Sequence, residues 1–351
     1  MKKTVLTIFL ILLVLSIGTY YTYVTDKGFK RDFDRILNRR TSPDSTSNPQ
    51  KKAEQKTAIQ QRKKIRKLIK TDPYYQLDEY ARKTPKQYEK DVETLAHYLI
   101  TPAKSEIEKV RLLFTWVATH INYDAEAFNS GNLIASPAEN VLQTKKAVCD
   151  GFGNLLKELC SSAGLESEKI SGYSKGYSYH IGDKFKDMNH AWNAVKIDNQ
   201  WRLFDATCAR GYGTKKNGKL VSTNKFNPYW FDVNPKELIF THLHEESKWQ
   251  LLKDSLTIEK FETLPYLRGN FFELGFDSDS VFSAAVSGDI KEFAEVFSFD
   301  YPVKAVRLPY VSNLKRNDVN DFVIQSDYAE LIALIDGSSW HFLSKREILL
   351  H

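Results

Sequence analysis

A thiol that attacks a carbonyl carbon needs two helpers, an imidazole to take the thiol proton and a carboxylate to hold the imidazole. Cys149, His190 and Asp205 supply those three groups, at separations of 41 and 15 residues. They are too far apart to meet within one element, so the chemistry depends on how the chain folds between them.

The surrounding residues suit such a meeting. Phe152, Leu155, Leu156, Leu159 and Ala163 recur at helical spacing, and Gly164 stands where a helix ends. Cys149 is therefore expected just before or within the first turn of a buried helix. Free N–H groups and the positive end of the dipole favour a thiolate there. Gly151 and Gly153 lack a Cβ and would let a substrate backbone approach. His190–Ile197 and Gln200–Thr207 read as strands joined by an Asp198-Asn199 hairpin turn. Pairing across that turn sets Trp192 opposite Asp205 and His190 opposite Thr207, so His190 and Asp205 lie diagonally on one face. A buried cysteine or a single strand histidine is commonplace. Three chemically matched residues in compatible elements are not.

The segments VCDGFGNLLKELCSSAGL, ISGYSKG, HAWNAV and WRLFDAT carry a family resemblance. With KVRLLFTWVATHINYDAEAF upstream and NPYWFDVNPKELIFTHLHEESKWQLL downstream, they resemble the transglutaminase-like superfamily of papain-type thiol enzymes, in its kyphoscoliosis-peptidase-like branch. The resemblance covers residues 78–275, through six motifs in order. It implies an α+β, papain-like core in which a cysteine-bearing helix packs on an antiparallel sheet bearing histidine and aspartate. It also implies that Cys149, His190 and Asp205 are the catalytic positions. In one departure, Cys208 stands where the family often has an aromatic residue soon after the aspartate.

The formal charge of +6 is unevenly spread. Residues 26–70 hold 15 Lys/Arg against 5 Asp/Glu, residues 1–25 add two lysines, and the other 281 residues net −6. The globular part thus lacks the basic face of a nucleic-acid binder. Met1-Lys2-Lys3 precedes an uncharged, mostly apolar run, Thr4–Thr25, with Tyr20, Tyr21 and Tyr23 near its end. That pattern predicts a membrane-spanning signal-anchor helix over residues 1–25, uncleaved because no Ala-x-Ala site follows. The basic flank from Lys27 to Arg40 argues for a cytoplasmic body, whereas a short basic head before an apolar run argues for export. The expectation is a body outside the cytoplasm. A polar linker (38–50) and a basic helical spacer (51–70) complete residues 26–71. The spacer's basic residues would also suit anionic headgroups.

A catalytic domain is expected over residues 72–280. Val92, Leu95, Ala96 and Leu99 mark one amphipathic helix, and Ser105 with Glu108 forms a capping box ahead of another. His120 rides on that second helix as a packing or surface residue. Gly211–Asn227 suits a mobile rim beside the site. His242 and His244, with Glu245 and Glu246 nearby, read as a surface turn, because no third ligand at sensible spacing accompanies them. Cys149 and His190 likewise lack third and fourth ligands, so no metal and no cofactor are expected. Cys160 and Cys208 are expected to be free, buried thiols. A helix-like SGDIKEFAEVF and four strand-like runs predict a small β-rich accessory domain over residues 281–351.

The chemistry expected is acyl transfer on a protein or peptide substrate. His190 deprotonates Cys149, Asp205 holds the ring, and the backbone N–H of Cys149 supplies one oxyanion donor. Hydrolysis is favoured over amine cross-linking, which needs a second, water-excluding channel for the amine. A non-enzymatic scaffold is the alternative, and the presence of all three residues argues against it.

Overall fold

Asp91, Ser105 and Asp124 each accept a hydrogen bond from a backbone N–H three residues on, and each opens a helix. The structure in which they do so is a computed structural model. It describes residues 72–289 apart from 134, 135 and 178, together with Phe293 and seven strands near the chain ends. The chain divides into two compact units, Asp72–Lys291 and a unit formed by Met1–Thr71 with Glu292–His351.

The larger unit begins with α1 (Tyr75–Arg82), α2 (Val92–Leu99), α3 (Glu106–His120), α4 (Ala125–Ser130), α5 (Ala138–Thr144) and α6 (Cys149–Ser162). Glu108 completes the cap of α3 by accepting from Lys104 N at 2.6 Å, one residue outside the expected box. Between α1 and α3 lies a buried ion pair that sequence reading missed. Arg111 donates to both carboxylate oxygens of Asp78 at 2.7 and 2.8 Å, and Thr115 Oγ1 adds a third bond at 2.7 Å. The guanidinium is enclosed by the rings of Tyr74 and Phe231, at 4.9 and 4.8 Å.

A four-stranded antiparallel sheet follows, built from β1 (Ser167–Ser174), β2 (His190–Ile197), β3 (Gln200–Phe204) and, after the hairpin β4 (Gly211–Lys216) and β5 (Lys219–Asn224), β6 (His242–His244). Its order is β3-β2-β1-β6. The pairing Ile197↔Gln200 to Asn193↔Phe204 is the expected register. Asp198 and Asn199 both have positive φ, 50° and 61°, as a two-residue I′-type turn requires. The expected second strand ends three residues early, at Phe204, because Asp205 caps the short helix α7 (Ala206–Arg210). Most of Gly211–Asn227, where a rim is expected, is the β4–β5 hairpin.

Helix α6 lies against β1 and β2 and buries Phe152, Leu155, Leu156, Leu159 and Cys160. Its N-cap, Val148, makes no side-chain cap bond. Losing a cap costs about 1 kcal/mol, whereas each buried Leu or Phe contributes roughly 1.5–3 kcal/mol. Packing therefore sets where this helix starts.

In the other unit, Leu6–Leu13 pairs with Leu331–Asp336, which pairs in turn with Ser339–Phe342, both antiparallel. Asn313–Leu314 and Glu295–Val296 also pair with Leu6–Leu13, and Lys304–Arg307 pairs with Val323–Gln325. The helix expected over residues 1–25 is corrected at Leu6–Leu13, which is a strand. Among the described residues no helix is long and apolar enough to cross a membrane. The physical reason is that LTIFLILL is a short apolar run rich in β-formers, which periodicity alone cannot separate from a helix. The linker and basic spacer at 38–70 lie outside the described residues. The helix expected at 287–297 is also absent as such, because α-helix Ser278–Ser287 ends at Gly288 and Glu295–Val296 is a strand.

Candidate active site

Cys149 is the first residue of α6, so its N–H and those next to it have no partner within the helix. The short strand Lys146–Ala147 leads into it, paired in parallel with Asn122–Tyr123. Gly151 and Gly153 play a different part from the one expected. A Cβ on Gly151 would meet Ala147 and Val141, and one on Gly153 would meet the stem of Lys169. Both glycines let α6 pack closely, and neither opens a path for substrate.

His190 begins β2, and the β2–β3 register brings it to Asp205. His190 Nε2 donates to Asp205 Oδ2 at 2.7 Å. That engages Nε2, and the ring lies close enough to the Cys149 thiol to act on its ionisation. The three expected residues therefore meet. Asp205 is fully buried, and its Oδ1 accepts from Cys208 N at 2.8 Å.

The electrostatics follow from these contacts. Burial would raise the Cys149 thiol, but the bond to His190, its charge and the Ala191 N–H outweigh that and lower it. Burial would lower His190, but the Asp205 charge and hydrogen bond raise it well above the ordinary histidine value. Asp205 is held far below the usual carboxylate range by His190 and His242, against its burial. The Cys149 and His190 shifts both run in the direction of a thiolate facing an imidazolium. Tyr123 is close enough for the Cys149 charge, added to burial, to push its phenol well up, so it stays protonated beside the nucleophile.

His242 and His244 correct the sequence reading most. They are buried on β6, the edge strand of the sheet, and not in a surface turn. His242 Nε2 lies 3.2 Å from Asp205 Oδ2, and Trp192 Nε1 donates to His244 Nε2 at 3.0 Å. Trp192 in turn stacks against His190, with ring centroids 5.7 Å apart. His190, Gly172 and His244 are in register across three strands. Gly172 is needed there because a Cβ would collide with Leu243 O and the Trp192 ring. The available signal was the alternation His-Leu-His, which fits a strand as well as a turn. His120 stacks on Trp116 at 4.8 Å and stays a packing residue. Cys149, Cys160 and Cys208 are all free, Cys160 buried and the other two half-buried.

Residues 93–206 match the transglutaminase-like superfamily. The kyphoscoliosis peptidase of Mus musculus is 34% identical over 178 residues, which make up 50% of this chain and 27% of that protein. That of Homo sapiens is 32% identical over 185 residues, 52% of this chain and 28% of the other. Residues 93–206 thus match a transglutaminase-like domain, and about half of the chain is similar to the kyphoscoliosis peptidases. Hillarin of Drosophila melanogaster is similar over 63% of this chain and 28% of its own length, at 31% identity. The chain thus spans under a third of the length of these relatives. The transglutaminase-like fold here is a mixed α/β arrangement, with the cysteine helix against an antiparallel sheet.

Proposed function

We propose that this transglutaminase-like domain is a thiol acyl-transferase that hydrolyses peptide bonds. The observation that carries the reading is the 2.7 Å His190–Asp205 bond, with Cys149 at a helix start against the same ring. In the proposed cycle the Cys149 thiolate attacks a peptide carbonyl carbon and forms a tetrahedral oxyanion. The Cys149 N–H at the start of α6 faces that charge, a contact worth about 3 kcal/mol in comparable sites. His190 then gives its proton to the leaving amine, and the acyl-enzyme forms. Water, activated by the now neutral His190, releases the acid.

Two considerations favour hydrolysis over cross-linking. Water at ~55 M outcompetes an amine unless the site holds the amine at high effective concentration. The relatives named above as peptidases support the same choice. The test is to incubate the purified chain with a peptide library and, separately, with a glutamine-containing protein and a labelled primary amine. Cleavage abolished by Cys149→Ala is expected. Amine incorporation without cleavage would replace the peptidase by a cross-linker. No reaction in either assay, with Cys149 no more reactive than Cys160, would leave a scaffold.

A further inference from the structure

Four side chains around the buried carboxylate form a second constellation. His190, Asp205, Cys208 and His242 each place one potential ligand atom within 4.8 Å of all the others. Three separations are 2.7 Å for His190 Nε2 to Asp205 Oδ2, 3.2 Å for His242 Nε2 to Asp205 Oδ2, and 3.9 Å for Cys208 Sγ to His190 Nε2. A tetrahedral zinc-type centre with bonds of about 2.0–2.3 Å puts its donors roughly 3.3–3.7 Å apart. These separations bracket that range, so closing on a cation requires the short His190–Asp205 edge to open and the longer edges to draw in.

We propose that these four residues bind a zinc-type divalent cation, and that the bound form is a switched-off state of the thiol enzyme. The donor set of two imidazoles, one carboxylate and one thiol selects zinc-like ions over magnesium or calcium. Outer support is already in place. His242 Nδ1 lies 2.8 Å from Thr241 Oγ1, which reaches Leu238 O at 3.2 Å, so His242 can donate outward and offer Nε2 inward. Asp205 and His242 are fully buried while His190 and Cys208 are half-buried, which leaves one side for entry. On binding, Cys208 gives up its thiol proton to solvent, the His190 Nε2 proton that bonded Asp205 is released to solvent as well, and each imidazole binds through an Nε2 lone pair. His190 then carries its single proton on Nδ1, towards Cys149. It cannot accept a proton from the thiol or carry the extra charge that stabilises the thiolate. The inhibition rests on the peptidase reading above, whereas the binding does not.

The test titrates Co2+ into the purified full-length chain, with Zn2+ as competitor. The expected result is a thiolate-to-cobalt charge-transfer band that Zn2+ abolishes, that Cys149→Ser keeps and that Cys208→Ser loses. His242→Gln should weaken binding at least about 100-fold, the upper end of what losing an outer-shell partner costs. If that variant misfolds, Cys208→Ser, a single-atom exchange, carries the test. Zn2+ should also slow alkylation of Cys149 at least tenfold, and EDTA should reverse it. Absence of the band, or a band that survives Cys208→Ser but not Cys149→Ser, overturns the site. A band that depends on Cys208, in a chain whose metal-free Cys149 is no more reactive than Cys160, sinks the peptidase reading and leaves the metal site standing.

Discussion

Burial alone would make Cys149 a poor nucleophile, and Cys160 shows what burial does unopposed. Its thiol is pushed up to about 12 by desolvation, as is that of Cys208, where the Asp205 charge adds to burial. Only Cys149 is lowered, through His190. The thiolate fraction rises with pH through each thiol's own pKa, so the midpoint of Cys149 alkylation should lie below the ordinary thiol value of about 8.5. Cys160 should still be gaining reactivity above pH ~10. Mass-spectrometric labelling across pH checks this, and a Cys149 midpoint at or above 8.5 would refute it. Asp205→Asn should cut turnover by about 10^4-fold, since a neutral amide no longer holds the imidazolium. At this scale the sequence was most legible, because Cys149, His190 and Asp205 lie in elements whose local patterns are strong. His242 was not, because its contact with Asp205 spans 37 residues and depends on which strand fills the sheet edge.

The elements owe their positions to buried polar pairs as much as to apolar stripes. Asp78→Ala leaves Arg111 buried between Tyr74 and Phe231 without its partner. A loss of roughly 3–5 kcal/mol is expected in urea unfolding, as for other broken buried pairs. His244 adds a pH dependence. Burial, reinforced by the charge of His242, lowers it to about 3. As pH falls below about 6.5 the unfolded chain binds this proton and the folded chain does not, so stability is lost at up to about 1.4 kcal/mol per unit. His244→Gln should flatten that acid slope by one proton's worth in melting curves between pH ~7 and ~5. An unchanged slope would show that His244 titrates normally. Helix α6 and the β2–β3 hairpin were legible from their periods. The end of β3 was not, because the Asp205 side chain, by capping α7, stops the strand where propensity would have continued it.

At the scale of the molecule, every residue of the site and every partner named for it lies within Asp72–Lys291. A fragment of residues 72–291 should therefore fold and alkylate at Cys149 at the rate of the full chain. A fragment rate tenfold lower would mean that the other unit supports the site. The order of motifs made the transglutaminase-like part legible, since six segments had to recur in sequence. The N-terminal run was legible only as apolar. Whether such a run coils or pairs depends on the availability of a partner such as Leu331–Asp336, more than 300 residues away.

Surface turns are usually where chains vary most freely in length, yet the Asp198-Asn199 turn has no such freedom. The phasing of β2 against β3 is fixed at that corner, and with it the side of the sheet on which His190 and Asp205 face each other. One residue inserted after Asn199 would turn Asp205 to the opposite face, and with it the buried Leu203 and Phe204, which pack in the core. Relatives of this chain should therefore differ here in spelling but not in count. The same corner offers a way to disarm the protein while leaving all three reactive side chains in place. Such an insertion should melt well below the parent, because Leu203 and Phe204 leave their places in the core, and alkylate at Cys149 no faster than an ordinary cysteine.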